Sequence, residues 1–311
     1  MERTDEMTAW QGQLEIIVPP KQGDQPLRTL LEQTWWLPHR FVHYLRVRRQ
    51  VLVNGQYQSM NERVDAGAHV RLQFNGDEFR TATSNYLPTP NAQPTILFEN
   101  RDVLVIDKPA GQKSHPNQPG ETGTALNAVA GYLANQPQTG AFMVHRLDQA
   151  TSGAMLVAKN PVVVPILDRY LSAGLMHRAY VAVVTGHFPA PRGELTWPIG
   201  RDPQDRRKRQ VNGVNAQPAQ TTYQVVATTA TTSLVYLTLH TGRTHQLRVH
   251  LAYSGHPIVG DPLYAPGGGP RMLLHGVKQD LVLPFSKQKE TIWVPLPTAF
   301  PPDLVKLWQP K

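Results

Sequence analysis

The chain contains no cysteine among its 311 residues. That single absence removes disulfides, thiolate nucleophiles and every Cys-ligated metal site. No stretch of 18 or more apolar residues occurs, so no transmembrane helix is expected. The opening residues, Met-Glu-Arg-Thr-Asp-Glu-Met, are acidic and have no apolar core, unlike a secretory signal. No glycine-rich phosphate loop and no internal repeat is visible. Together these absences predict a cytoplasmic protein without membrane contact, metal or phosphate-cradling cofactor. What is present is a globular composition, 40% hydrophobic, long enough for one large domain and a small one.

Positive charge is in excess, by +8, and its location matters more than its total. Residues 1–85 carry ten Lys+Arg and ten Asp+Glu, whereas residues 86–311 carry 21 against 13. Two clusters stand out. Arg40, Arg46, Arg48 and Arg49 lie within ten residues, and Arg206, Arg207, Lys208 and Arg209 follow Arg201 in a polar stretch read as a loop. Both are candidate contacts for a polyanion such as RNA, although a basic run is also an ordinary way to build a solvated face.

Apolar residues at Leu27, Leu30, Leu31 and Trp35 have helical spacing over 25–37, and Phe41, Val42 and Leu45 predict a second helix reaching about Gln50. Val51-Leu52-Val53 runs into Asn54-Gly55, a strong hairpin signal, and Val70, Leu72 and Phe74 alternate as a strand should. Two helices and a hairpin over residues 24–76 make a small module. Residues 77–94 read as a linker, because Thr81–Pro94 is polar and holds three prolines. Residues 95–311 form the large domain. Strands are expected at Val103–Asp107, Ala154–Ala158, Tyr180–Val184 and twice within Thr221–Leu239, with helices at Thr124–Ala134 and around Leu247–Leu251. This mixture predicts an α+β fold, its sheet mixed and mainly antiparallel with flanking helices.

Residues 145–153, His-Arg-Leu-Asp-Gln-Ala-Thr-Ser-Gly, place one carboxylate, Asp148, in a polar turn between two apolar strands. Turns expose side chains that a rigid sheet holds in place, so Asp148 is a candidate for chemistry. Four ordered segments, Val103–Pro116, His145–Asn160, Arg178–Gly186 and Leu239–Tyr264, resemble the RluA-type pseudouridine synthases. The module at 24–76, with Val-Leu-Val-Asn-Gly after its arginines, resembles an S4 RNA-binding domain. Departures are few: Gln112-Lys113-Ser114 is more polar than the family's usual stretch, Arg178 stands where lysine is common, and Pro38-His39-Arg40 opens a helix where serine is more usual.

The resemblance implies a pseudouridine synthase fold and isomerisation of uridines in structured RNA, without cofactor or metal, by a chain expected to be monomeric. It assigns the central role to Asp148, as nucleophile at C1′ or as base on the ribose. It nominates Arg248 as the cation that keeps the carboxylate charged in a desolvated site, Tyr180 as the ring that stacks on the target base, and Leu274 as the apolar wall, with Leu273 its rival by one position. Arg146 resembles the family arginine that enters the space left by a flipped base, a role its planar guanidinium suits. Its alternative is a plain ion pair with a carboxylate. An S4-like module on this catalytic type points toward large-subunit ribosomal RNA, with transfer RNA the alternative substrate. A non-catalytic RNA-binding or ribosome-assembly factor on the same fold is the rival from another class. A glycoside-type hydrolase would need a second carboxylate, and the nearest to Asp148 in sequence are Glu121 and Asp168. His245 and His250, five apart and about 140° around a helix, cannot share one metal ion. His115, His145 and His275 read as hydrogen-bonding loop residues.

Overall fold

A computed structural model describes residues 10–79, 86–267 and 269–309. At the N-terminal end four strands form an antiparallel sheet in the order Gly12–Ile17, His69–Phe74, Val51–Val53, Gln56–Tyr57. The alternation seen in sequence is real: Val70, Leu72 and Phe74 are buried while their neighbours face solvent. Asn54 and Gly55 turn the hairpin with φ of 50° and 83°, the left-handed pair a tight two-residue loop needs. Gly12–Ile17 is a strand of this sheet that lies before the expected span 24–76.

The first expected helix takes another form. Only Leu27–Thr29 is α-helical, and Leu30–Thr34 is wound as a π-helix, with Trp35 N–H donating to Leu30 O at 2.8 Å. The wider turn still buries Leu27, Leu30, Leu31 and Trp35 completely. The second helix, His39–Val47, stops three residues short of Gln50, because Arg49 enters the left-handed region at φ 54°.

The large domain is built on a ten-stranded sheet, mainly antiparallel. Its path runs Arg192–Leu195, Thr221–Thr228, Thr232–Leu239, Arg178–Thr185, Leu274–Val282, Ser152–Ala158, Val103–Lys108, Ile96–Glu99. One pairing near its centre is parallel, where Ser152 and Gly153 face His275 and Gly276. Gly153 sits at φ +114°, and a Cβ there would lie 2.3 Å from Gly276 O, so only glycine permits this approach. Helix Ala125–Leu133 begins with a capping box between Thr124 and Asn127.

The small and large units share a core. Leu27, Leu31 and Trp35 belong to the same apolar cluster as Val105, Leu156, Tyr170 and Phe285. The Trp35 ring meets Phe285 edge-on at 5.4 Å, and Gln22 Nε2 donates to Phe285 O at 2.9 Å. Of the expected linker, residues 80–85 lie outside the described residues. Residues 86–94 are pinned to the large domain: Asn127 Nδ2 donates to Leu87 O at 2.8 Å and Thr89 N–H to Asn127 O at 3.0 Å. Gly131 accommodates that segment, since a Cβ there would lie 1.9 Å from Thr89 O. A polar, proline-rich composition marks absence of regular structure, which is no guarantee of freedom.

Candidate active site

The nonapeptide turn carrying Asp148 is tied down on both flanks. Ser114 Oγ donates to Leu147 O at 2.7 Å and accepts from Leu147 N–H at 3.0 Å, so one hydroxyl clamps the residue before Asp148. On the other side Gly111 N–H donates to Gln149 O at 2.8 Å, and Gln149 Nε2 returns a bond to Gly111 O at 3.0 Å. Beneath the turn, fully buried Lys108 donates to the carbonyls of Pro109 and Gln112 at 2.9 and 2.7 Å. The polar departure at Gln112–Ser114 therefore has a structural use: it braces the turn that carries Asp148. His145 sits buried at the root, its Nε2 accepting from Leu156 N–H at 3.1 Å. Burial pushes its pKa down to about 3, so it is neutral.

Asp148 lines two adjoining hollows. An open cleft of about 600 Å³ is walled by His115, Arg146, Arg207, His245 and Arg248 among others. A smaller cavity of about 90 Å³ lies between Arg178, Tyr180, Leu239, Thr151 and Leu274. Asp148, Arg146, His245 and Arg248 border both. Leu274 faces this cavity and Leu273 the opposite core, as alternation along the chain requires. Tyr180 is buried, and burial pushes its hydroxyl pKa up.

Arg248 lies on the helix Gln246–Tyr253 and is 3% exposed. Its two-pronged face does not address Asp148. Nε and Nη2 donate to the two oxygens of Asp261, each at 2.8 Å, while Nη1 alone reaches Asp148 Oδ2 at 3.2 Å. Asp261, 1% exposed, also accepts from the N–H groups of Leu263 and Tyr264. Burial by itself would raise its pKa; Arg248 overcomes that and holds it below the ordinary carboxylate range. The site thus contains the second carboxylate that sequence proximity did not reveal, but it is engaged with a cation rather than facing the cleft.

His245 is the second residue missed in its actual setting. It precedes the helix in the left-handed region, φ 59°, with Nδ1 2.9 Å from Tyr264 Oη and Nε2 3.9 Å from Asp148 Oδ2. His250 points elsewhere, to Trp197 O and Thr221 Oγ1. Among the described residues no group of three or more His, Asp or Glu side chains could hold a metal ion. His275, expected in a loop, is on strand Leu274–Val282, its Nδ1 2.8 Å from Ser152 Oγ.

Of the basic residues, Arg146 is exposed at the cleft mouth with Nη1 3.3 Å from His115 Nε2 and, among the described residues, no carboxylate partner. Arg206, Arg207 and Lys208 occupy the turn between strands Ile199–Arg201 and Arg209–Val211, part of a three-stranded sheet unforeseen in sequence. Arg207 lines the cleft while pairing with Asp205 at 2.7 Å. Arg46 and Arg49 are exposed. Arg48 is occupied: it bonds Asp77 and nearly fully buried Glu78 at 2.5 and 2.7 Å. Arg40 donates to Asp77 O at 2.8 Å.

Residues 102–253 match the model of the RNA pseudouridylate synthase family, and residues 14–70 that of the RluD ribosomal pseudouridine synthase N-terminal domain. RNA pseudouridine synthase YhcT of Bacillus subtilis is 36% identical over 91% of this chain and 94% of its own length. The chain belongs to the RNA pseudouridine synthases. The ribosomal large subunit pseudouridine synthase D of Nitrosomonas europaea is 34% identical to the synthase, over 91% of this chain and 85% of that one. Among solved structures, human RNA pseudouridylate synthase domain containing 1 superposes with a TM-score of 0.58 at 28% identity, covering 72% of the synthase and 91% of that chain.

Proposed function

We propose that this synthase isomerises uridines of large-subunit ribosomal RNA and that Asp148 is its catalytic group. The observation that carries the reading is the environment of that carboxylate. Oδ2 takes an N–H from Arg248 at 3.2 Å, Oδ1 takes no hydrogen bond among the described residues, and both hollows open onto it. In the reaction the N1–C1′ bond breaks, a C5–C1′ bond forms, the C5 proton leaves to solvent and N1 gains a proton. Substrate and product are isomers, so no oxidant or group donor is consumed. An anionic oxygen at C1′ or at the ribose suffices, provided the base is held while it turns. Tyr180 and Leu274 offer that base one aromatic face and one apolar wall. Arg146, at the mouth and without a carboxylate partner among the described residues, suits the space a flipped nucleotide vacates.

The ribosomal assignment draws on the relatives named ribosomal large subunit pseudouridine synthase D, from Nitrosomonas, Neisseria and Salmonella. On the protein's side, the exposed Arg46 and Arg49 of the N-terminal module and the turn Arg206-Arg207-Lys208, where Arg207 is shared with Asp205, support a reading in which they neutralise phosphates. Arg48 and Arg40 serve mainly to tie the module together. The test maps pseudouridines in total RNA from cells with and without the gene, complemented by wild type or Asp148→Asn. Large-subunit positions should disappear and return only with the wild type. Loss confined to transfer RNA would overturn the substrate, and restoration by Asp148→Asn would overturn the catalytic role.

A further inference from the structure

Four groups form a chain between the basic turn and the reactive carboxylate. Arg209 N–H donates to Tyr264 Oη at 2.9 Å. A phenol that accepts there keeps its own proton for another partner, and His245 Nδ1 lies 2.9 Å away. With Tyr264 donating to Nδ1, the imidazole proton sits on Nε2. That nitrogen faces Asp148 Oδ2 at 3.9 Å, longer than a hydrogen bond, and Oδ2 is the same oxygen that takes Arg248 Nη1. The Tyr264 ring also meets the imidazole edge-on at 5.8 Å and carries the Arg248 guanidinium over its face at 5.1 Å. Burial holds the imidazole's pKa below its ordinary value against the opposing pull of Asp148, which favours the neutral ring.

We propose that His245 is a positioning residue for the isomerisation: held as the Nε2–H tautomer by Tyr264, it turns a donor toward Oδ2 of Asp148 beside Arg248 and so leaves Oδ1 as the oxygen that meets the ribose. The inference rests on Asp148 being the catalytic group. Its backbone gives it a distinctive signature. At φ 59° asparagine is the more comfortable replacement and glutamine the less. Their amide nitrogens differ in reach, however: that of asparagine stands where Nδ1 is, that of glutamine where Nε2 is. A role in backbone conformation alone predicts that His245→Asn is the milder change. Positioning of Asp148 predicts the reverse.

Single-turnover pseudouridine formation on ribosomal RNA transcript, with RNA affinity measured separately, tests this on the full chain. His245→Gln should keep activity within about threefold of wild type, and His245→Asn should lose about thirtyfold or more, with RNA affinity unchanged in both. Tyr264→Phe, which keeps the ring, should lose about tenfold in the His245 background and almost nothing further in His245→Gln. Nitrogen-15 spectra of the wild-type protein should show His245 Nδ1 unprotonated. Equal losses in His245→Asn and His245→Gln, additive effects of Tyr264→Phe, or a protonated Nδ1 would each overturn the proposal. Asp148→Asn in the same assay keeps the two readings apart: if it turns over, the catalytic assignment fails, whereas an active His245→Asn beside a dead Asp148→Asn sinks the positioning role alone.

Discussion

Replacing Asp261 by asparagine should damage stability more than turnover, and replacing Asp148 should do the opposite. Asp261 is 1% exposed and accepts four hydrogen bonds, two from Arg248 and two from the backbone of Leu263 and Tyr264. Asparagine has one acceptor oxygen in place of two. Its NH₂ must replace either Oδ2, facing Arg248 Nε, or Oδ1, facing Arg248 Nη2 and both backbone N–H groups, a donor against donors both ways. Breaking a buried ion pair by removing one partner costs ~3–5 kcal/mol. Arg248 retains Asp148 as a partner, so the lower end applies, and a loss of about 3 kcal/mol lowers the melting temperature by on the order of 10 °C in a domain of this size. Arg248 would then hold Asp148 less firmly, and we expect kcat to fall by ~10–100-fold, equivalent to ~1.4–2.7 kcal/mol of barrier.

Asp148 is the contrasting case. Its side chain is 17% exposed and, among the described residues, engaged by a single 3.2 Å bond from Arg248, which the carbonyl oxygen of asparagine can accept just as well. Asp148→Asn should therefore melt within a few degrees of wild type, a change of at most ~1 kcal/mol, while turnover vanishes. Melting by differential scanning calorimetry, and release of tritium from RNA labelled at uracil C5, read the two quantities independently. The reasoning fails if Asp261→Asn melts with the wild type. It fails equally if Asp148→Asn turns over within about tenfold of it, a barrier change of only ~1.4 kcal/mol.

Two further expectations follow from where charges lie. Arg46→Gln with Arg49→Gln should weaken RNA binding and lower its log–log salt slope by ~1–2, whereas Arg48→Gln, which breaks the ties to Asp77 and Glu78, should lower the melting temperature instead; an unchanged slope in the double variant would refute phosphate contact by the module. His145 and His275, with pKa values pushed down by burial to about 3 and about 4, stay unprotonated in the fold at a pH where an unfolded histidine, titrating near ~6.5, already binds a proton. Their stabilising contribution is complete above that pH and falls on acidification by up to ~1.4 kcal/mol per pH unit each, so melts between pH 7 and pH 5 should slope accordingly and His275→Asn should remove one share of the slope.

How much of this was legible in the sequence depended on distance along the chain. The Asp148 turn, the Asn54-Gly55 hairpin and the capped helix at Ala125–Leu133 announce themselves through neighbours two to four residues apart, the range over which periodicity and turn chemistry operate. Leu274 could be told from Leu273 only once the strand's orientation was known. The π-helix at Leu30–Thr34 satisfies the same apolar positions as an α-helix would, so pattern alone could not separate them. Strand Gly12–Ile17 did carry an alternating signal in Leu14 and Ile16, but its partner is His69–Phe74, more than fifty residues on. Asp261 was in plain view within Gly-Asp-Pro-Leu-Tyr, and no spacing rule links a helix arginine to a carboxylate thirteen residues later.

That last pair changes how the site works electrostatically. An arginine facing Asp148 with both prongs would occupy the carboxylate; here Asp261 takes both prongs and leaves one N–H for Oδ2. Asp148 is consequently steadied without being saturated, the condition its proposed role as nucleophile or base requires. Arg248 and the two carboxylates together carry one net negative charge, set beneath a cleft bordered by Arg146 and Arg207. That charge is offset by Arg178 and Arg243, which line the smaller cavity, and by Lys108 buried beneath the turn.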